Sequence, residues 1–393
     1  MTGWYRPLAI AASVQVATTA ADVAVPVLGP LITAEAGVPA SHVGYYSSAV
    51  ATGAVVFYLL GAGLAHRVGP IRCLQLGAAL CAGALLIVLS GYWWLILAAG
   101  LLLGLGFGTN APASAALLHA SVPARRSTLA FSIKQAGMPL GAILAGLLLP
   151  ALAALWGWQA AILGLAGLCL LCLTAIQFFS RDRVPQVPRE VAHANRPLLD
   201  LRGLLSLANR RDIRRLMLCG ALLAVMQGSA NAFLVTYLVT GLGHSLVIAG
   251  TLYALFQALG IPGRIASGWL ADSAVSRSGM LAITAVGSAA AIGLLSLLGP
   301  TSPLMLVGLC VAALGLVIGN WNGILIAEVT SLAPKGQVPE ANNVLSLGIF
   351  AGFILGPLLF SLVASSGGGF EAALYLLAIS ALLSLLPLVS WRR

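Results

Sequence analysis

Long apolar runs alternate with short polar stretches along the whole 393-residue chain. A helix needs about 20 apolar residues to cross about 30 Å of hydrocarbon. Reading for runs of that length predicts twelve membrane helices, at roughly 8–32, 43–65, 73–90, 95–118, 128–152, 159–179, 216–240, 245–271, 279–299, 303–330, 341–364 and 370–390. The expected fold class is therefore all-α and membrane-embedded. The first run follows Arg6 as a signal peptide would, but it is too long for one and carries Asp22, so it reads as a retained helix.

Composition supports this. Hydrophobic residues make up 60% of the chain and charged residues 8%, against roughly a quarter charged in soluble domains. So few charges cannot cover the surface of a soluble fold of this length. Of the cysteines, Cys169 and Cys172 have CxxC spacing, but no other metal ligand stands near them in sequence. They read as small core residues, and neither a metal nor a cofactor is expected.

Charge then orients the chain. Every Lys and Arg except Lys134 and Arg264 falls at the termini, in the even-numbered loops or in the segment 180–215. Basic residues collect on the cytoplasmic side of membrane proteins, so both termini are expected in the cytoplasm and the protein in the inner (cytoplasmic) membrane. The net charge of +10 follows from topology and anionic lipid, and needs no nucleic-acid partner. On the opposite side lie the aromatic clusters GYWW (91–94) and WGW (156–158), placed as interface anchors.

The chain also repeats. At an offset of 211, Gly104 meets Gly315, Gly108 meets Gly319, Pro123 meets Pro334, Gly137 meets Gly348, Gly141 meets Gly352 and Gly157 meets Gly368. The second and eighth spans align at 206 instead, where LAH (64–66) meets LAD (270–272). The expected organisation is a six-helix bundle over 1–179, a cytoplasmic connector over 180–215 and a second six-helix bundle over 216–393. Two similar halves in parallel orientation are a transporter symmetry.

The stretch GWLAD (268–272), followed by Ser273 and Arg277, resembles the loop motif that joins the second and third helices in each half of major facilitator superfamily transporters. Its counterpart is AGLAHRVGPIR (62–72), where Ala62 stands for the usual glycine, His66 for the usual Asp, and Arg67 and Gly69 keep their places. The fourth-span arginine of the family is replaced by Gly100, and AGMPLG (136–141) is a broken form of the fifth-span motif of drug antiporters. The resemblance implies alternating access, with Asp272, Arg277, His66 and Arg67 in the gating loops.

Four residues are the candidates for ionisable groups buried well inside the spans: Asp22, Lys134, Arg264 and Glu328. A charge near the bilayer centre costs at least about 2.5–3.5 kcal/mol, so each asks for a partner or a function. Asp22 and Glu328 are the candidate proton-coupling groups; a structural role stands beside that reading for both. Lys134 and Arg264 each lie eight residues inside a charged loop residue, Arg126 and Asp272, or about 12 Å along a helix. Two cations at one depth repel each other unless an anion or an Asp/Glu sits with them; the structural alternative pairs each with Asp22, Glu328 or carbonyls. GRIASGWLAD (263–272) also resembles the eighth helix of the oxalate/formate exchanger and monocarboxylate transporter group, and that resemblance implies that Arg264 grips a substrate carboxylate. In that group the second cation stands on helix 11; here helix 11 has no Lys or Arg, and Lys134 is the substitute. Gln135, Asn110, Gln257, Asn231 and Asn320 are the polar residues expected to complete the site. The alternative for each is an ordinary interhelical hydrogen bond.

Glycines repeat every four residues at Gly137 and Gly141 and at Gly348, Gly352 and Gly356. Such stripes either pack helices within a half or slide between halves. No H-E-x-x-H, Walker loop or nucleophile elbow occurs, so no enzyme is expected. The expected function is secondary active transport of a small organic anion, coupled to protons or run as exchange, by a monomer in the bilayer. The rival is a proton-coupled exporter of lipophilic drugs, because Asp22 followed by VAVPVLGP (23–30) resembles the first helix of such exporters.

Overall fold

A computed structural model describes residues 4–61, 64–180, 207–334 and 337–389. Most of the connector expected at 180–215 lies outside the described residues. Ten helical stretches among those described are long and apolar enough to cross a membrane. Two of them are double-length. Ser127–Ser180 is interrupted at Gly157, whose φ of 83° is open to glycine and strained for other residues. The other breaks at the π-helical turn Ala364–Gly368. Twelve membrane helices result, as the hydropathy predicts.

In chain order these are α1 (Tyr5–Glu35), α2 (Ala40–Gly61), α3 (Pro70–Val88), α4 (Trp93–Ser121), α5 (127–156), α6 (158–180), α7 (Arg211–Thr240), α8 (Leu246–Ser273), α9 (Arg277–Ser296), α10 (Leu304–Leu332), α11 (Val338–Val363) and α12 (Gly369–Leu383). Local chemistry sets several ends. Ser245 and Ser276 cap α8 and α9, their hydroxyls accepting from the Ile248 and Gly279 amides. Pro70 opens α3, where its missing N–H costs nothing. Large apolar side chains such as Leu171, Phe178, Ile265 and Trp269 point outward, which suits lipid rather than water.

The chain divides into two compact units, Met1–Val38 with Ala49–Leu198, and Pro39–Ser48 with Leu199–Arg393. The first turns of α2 therefore group with the second unit. Gly44 permits this, because a β-carbon there would lie 2.6 Å from the Phe233 ring. Hydroxyls complete the contact: Ser361 donates to the Ser41 carbonyl and Ser48 to the Ile354 carbonyl, both at 2.7 Å.

In the first unit α5 packs along α1. A β-carbon on Gly137 would sit 3.1 Å from Gln15 Cβ, and Gly141 lies against Val16 and Thr19. In the second unit Gly348, Gly352 and Gly356 meet Met217, Ala221 and Val225 of α7 in the same way. Both stripes thus serve close packing within a unit.

Of the aromatic clusters, Trp94 and Trp156 are exposed, whereas Trp158 is buried and donates to Glu35 Oε2 at 2.6 Å. Gln159 donates to the same carboxylate at 3.0 Å, tying the start of α6 to the end of α1.

Candidate substrate site

Helices α4 and α10 both break in mid-membrane, at matching residues. In α4 the Thr109 amide bonds the Gly106 carbonyl at 3.2 Å; in α10 the Asn320 amide bonds the Val317 carbonyl at 3.3 Å. Each is a three-residue bond inside an α-helix, and the two are related by the 211-residue repeat. Interrupted helices at corresponding places in two halves are the best sequence-readable pointer to a transporter's binding site.

Glycines just before each break admit a neighbouring helix. A β-carbon on Gly108 would crowd Phe57 Cβ at 2.9 Å, and Phe57 is buried there. A β-carbon on Gly319 would meet Arg264 Nη2 at 3.0 Å, Nε at 3.1 Å and Cζ at 3.5 Å. Phe57 opens a π-helical turn, Phe57–Gly61, which adds one residue to α2. Gly108 and Gly319 match at the 211-residue offset, so Phe57 and Arg264 lie against corresponding glycines. An apolar ring fills this place in the first unit; the second unit puts a guanidinium there.

Arg264 is exposed, and its guanidinium has no hydrogen-bond or ion-pair partner among the described residues. On the helical wheel of α8 it lies on the side of Gln257, away from the outward-facing Ile265 and Trp269. Gln257 donates to Asn231 Oδ1 of α7 at 3.3 Å and to the Tyr253 hydroxyl at 2.8 Å. Asn320 is buried; its amide donates to the Leu316 carbonyl at 2.7 Å, while its Oδ1 is buried without a partner. That oxygen would lie 3.2 Å from a β-carbon on Gly263, beside Arg264. So Arg264, Gln257, Asn231 and Asn320 belong to α7, α8 and α10 of one unit.

The first unit carries the other residues. Lys134 is buried, and its ammonium donates to Gln135 Oε1 at 3.2 Å; Gln135 itself is exposed. Lys134 falls between Ala130, packed on Leu8 and Ala11, and Gly137, packed on Gln15, so it lies on the face of α5 turned to α1. Asn110 is buried and donates to Thr18 at 3.1 Å, with its Oδ1 unpaired; Gln15 donates to Thr19 at 3.1 Å. This polar stripe on α1 was not singled out from sequence, although Gln15, Thr18 and Thr19 show helical spacing. Asp22 is partly buried and has no partner among the described residues. It stands seven residues beyond Gln15, the nearer end of the part of α1 that faces Lys134, about 10 Å along the axis, and no salt bridge joins the two among the described residues.

The loop residues sort differently. Arg277 donates to Glu328 Oε2 at 3.2 Å and to the Ala327 carbonyl at 3.5 Å. Glu328 is therefore engaged by the start of α9, and Arg277 reaches α10 rather than Asp272, which is exposed. Arg67 is exposed in the short helix Leu64–Val68; the His66 side chain lies outside the described residues.

A family model for the Major Facilitator Superfamily matches residues 10–338. The chain belongs to the Major Facilitator Superfamily. Two uncharacterized MFS-type transporters of Mycobacterium tuberculosis, from strains CDC 1551 / Oshkosh and ATCC 25618 / H37Rv, are 29% identical over 261 residues. The match covers 66% of this chain and 57% of each relative, so the chain spans little more than half the length of these curated relatives. Among solved structures, a nucleoside transporter superposes with a TM-score of 0.78 at 14% identity over all of both chains. A D-xylose-proton symporter gives 0.74 at 16% identity, over 98% of this chain and 97% of its own. A peptide transporter in complex with sulfate gives 0.76 at 15%, over 98% and 94%. Identities this low speak for the shared fold.

Proposed function

We propose that this protein is a secondary active transporter for a small organic anion, with a carboxylate held by Arg264. The observation that carries the reading is an accessible guanidinium inside a membrane helix with no anionic partner among the described residues. Arginine is always charged, weakly hydrated, and shaped for two parallel bonds to a carboxylate. The matching glycine of the first unit, Gly108, packs against Phe57, so packing against the glycine does not require a charge. A cation kept at an expensive depth without a structural partner is best accounted for by a ligand.

Asn231, Gln257 and Asn320 are the polar side chains of the same unit that would contact such an anion. Lys134, Gln135 and Asn110 remain candidates in the first unit, with Lys134 in a secondary role because it is buried toward α1. Asp22 is the proposed proton-coupling group. The positive-inside distribution supports cytoplasmic termini and an inner-membrane location, and the carrier is proposed to act as a monomer. The partnerless Asp22 ahead of VAVPVLGP favours the rival, a proton-coupled drug exporter. A thermal-shift screen of purified protein separates the two: stabilisation by acetate, lactate, oxalate or benzoate supports the anion reading. Stabilisation by lipophilic cations alone favours the rival.

A further inference from the structure

The arrangement of Gly319 around Arg264 says which edge of the guanidinium is free. A β-carbon on Gly319 would be nearly equidistant from Nη2 and Nε, at 3.0 and 3.1 Å, with Cζ farther at 3.5 Å. A point above the flat face of the group would have Cζ at least as near as the nitrogens. The observed order is that of an approach in the plane, onto the Nε–Nη2 edge. The α-carbon of Gly319 therefore covers one of the two forks that guanidinium offers to a carboxylate, and the Nη1–Nη2 fork points away from α10.

We infer that Gly319 is a positioning residue for the carboxylate site: it fits under the Nε–Nη2 edge of Arg264 and so presents the Nη1–Nη2 edge to the anion. This rests on the reading of Arg264 as the carboxylate ligand. The helix break fixes the glycine's place, since the Asn320–Val317 bond holds the turn in which Gly319 sits. The fit is tight. Any side chain at 319 would press on the two nitrogens, and the guanidinium would have to turn in its plane or slide outward. Alanine at 319 would thus misdirect the fork without removing the charge. A lysine at 264 has no fork to misdirect.

That difference supplies the test. Binding of whichever of acetate, lactate, oxalate and benzoate stabilises the wild type most is measured by calorimetry on the purified full chain. Four proteins are compared: wild type, Gly319→Ala, Arg264→Lys, and both together. Monodispersity and melting temperature serve as folding controls. Gly319→Ala should weaken binding about three- to tenfold in the wild-type background and less than about twofold beside Arg264→Lys, a non-additivity that marks direct coupling. Equal weakening in both backgrounds would make Gly319 a packing residue only, and unchanged binding in Gly319→Ala would overturn the edge assignment. Should the alanine variant misfold, nitrogen-15 arginine spectra of the wild type carry the same question, with the Arg264 signals identified by their loss in Arg264→Lys. The carboxylate should shift the Nη signals and leave Nε in place; a shift confined to Nε contradicts the inference. If no carboxylate binds the wild type, the parent reading fails, which is a different result from an Arg264-dependent anion that ignores residue 319.

Discussion

Phe57 and Arg264 pack against matching glycines of the internal repeat, each preceding a helix break, Gly108 in α4 and Gly319 in α10. One is a buried aromatic ring and the other an exposed guanidinium without a partner among the described residues. The fold needs something to fill the groove beside the glycine, and the first unit fills it with a hydrocarbon.

Arg264→Phe should therefore fold, giving a monodisperse protein with a melt close to that of the wild type, while losing carboxylate binding. Hydrogen bonds to charged groups contribute about 1.5–3 kcal/mol, so the loss should be at least about tenfold. Aggregation of this variant, with Arg264→Leu behaving likewise, would show that the charge is structural.

Glu328 accepts from Arg277 at 3.2 Å and links the start of α9 to α10. Arg277 is more than a third exposed, so screening limits the pair to about 0.2–1 kcal/mol. Glu328→Gln should lower the melting temperature slightly and leave the pH dependence of uptake as it was. A flattened pH profile would return Glu328 to the proton pathway.

Asp22 is the other candidate proton-coupling acid, and among the described residues nothing holds it. Asp22→Asn should abolish uptake driven by a proton gradient in proteoliposomes and preserve exchange of labelled for unlabelled substrate. Proton-driven uptake at the wild-type rate would take Asp22 out of the mechanism.

Much of the architecture was legible in the sequence because it depends on local quantities. Twenty apolar residues in a row define a crossing, and glycines matched at an offset of 211 expose the repeat. The offset also brought Gly108 onto Gly319, although only the backbone bonds of Thr109 and Asn320 revealed these as sites of interruption. The site was legible in part. The sequence named Arg264 and Gln257 as candidates, but their partners depend on how neighbouring helices are rotated, which hydropathy does not encode. Lys134 illustrates the limit: its depth resembles that of Arg264, yet the packing of Ala130 and Gly137 turns it toward α1. Arg277 and Glu328 are 51 residues apart, and only the approach of α9 to α10 pairs them.

The central claim, that Arg264 holds a substrate carboxylate, is tested most directly by equilibrium binding of the stabilising carboxylate to purified wild type, Arg264→Lys, Arg264→Ala and Lys134→Ala. Removing the fork should weaken binding markedly in Arg264→Lys, and removing the charge should abolish it in Arg264→Ala. Lys134→Ala should weaken binding less than either, consistent with an ammonium buried toward α1. If Arg264→Ala is monodisperse and binds the same carboxylate with wild-type affinity, the claim is wrong and the drug-exporter reading takes its place.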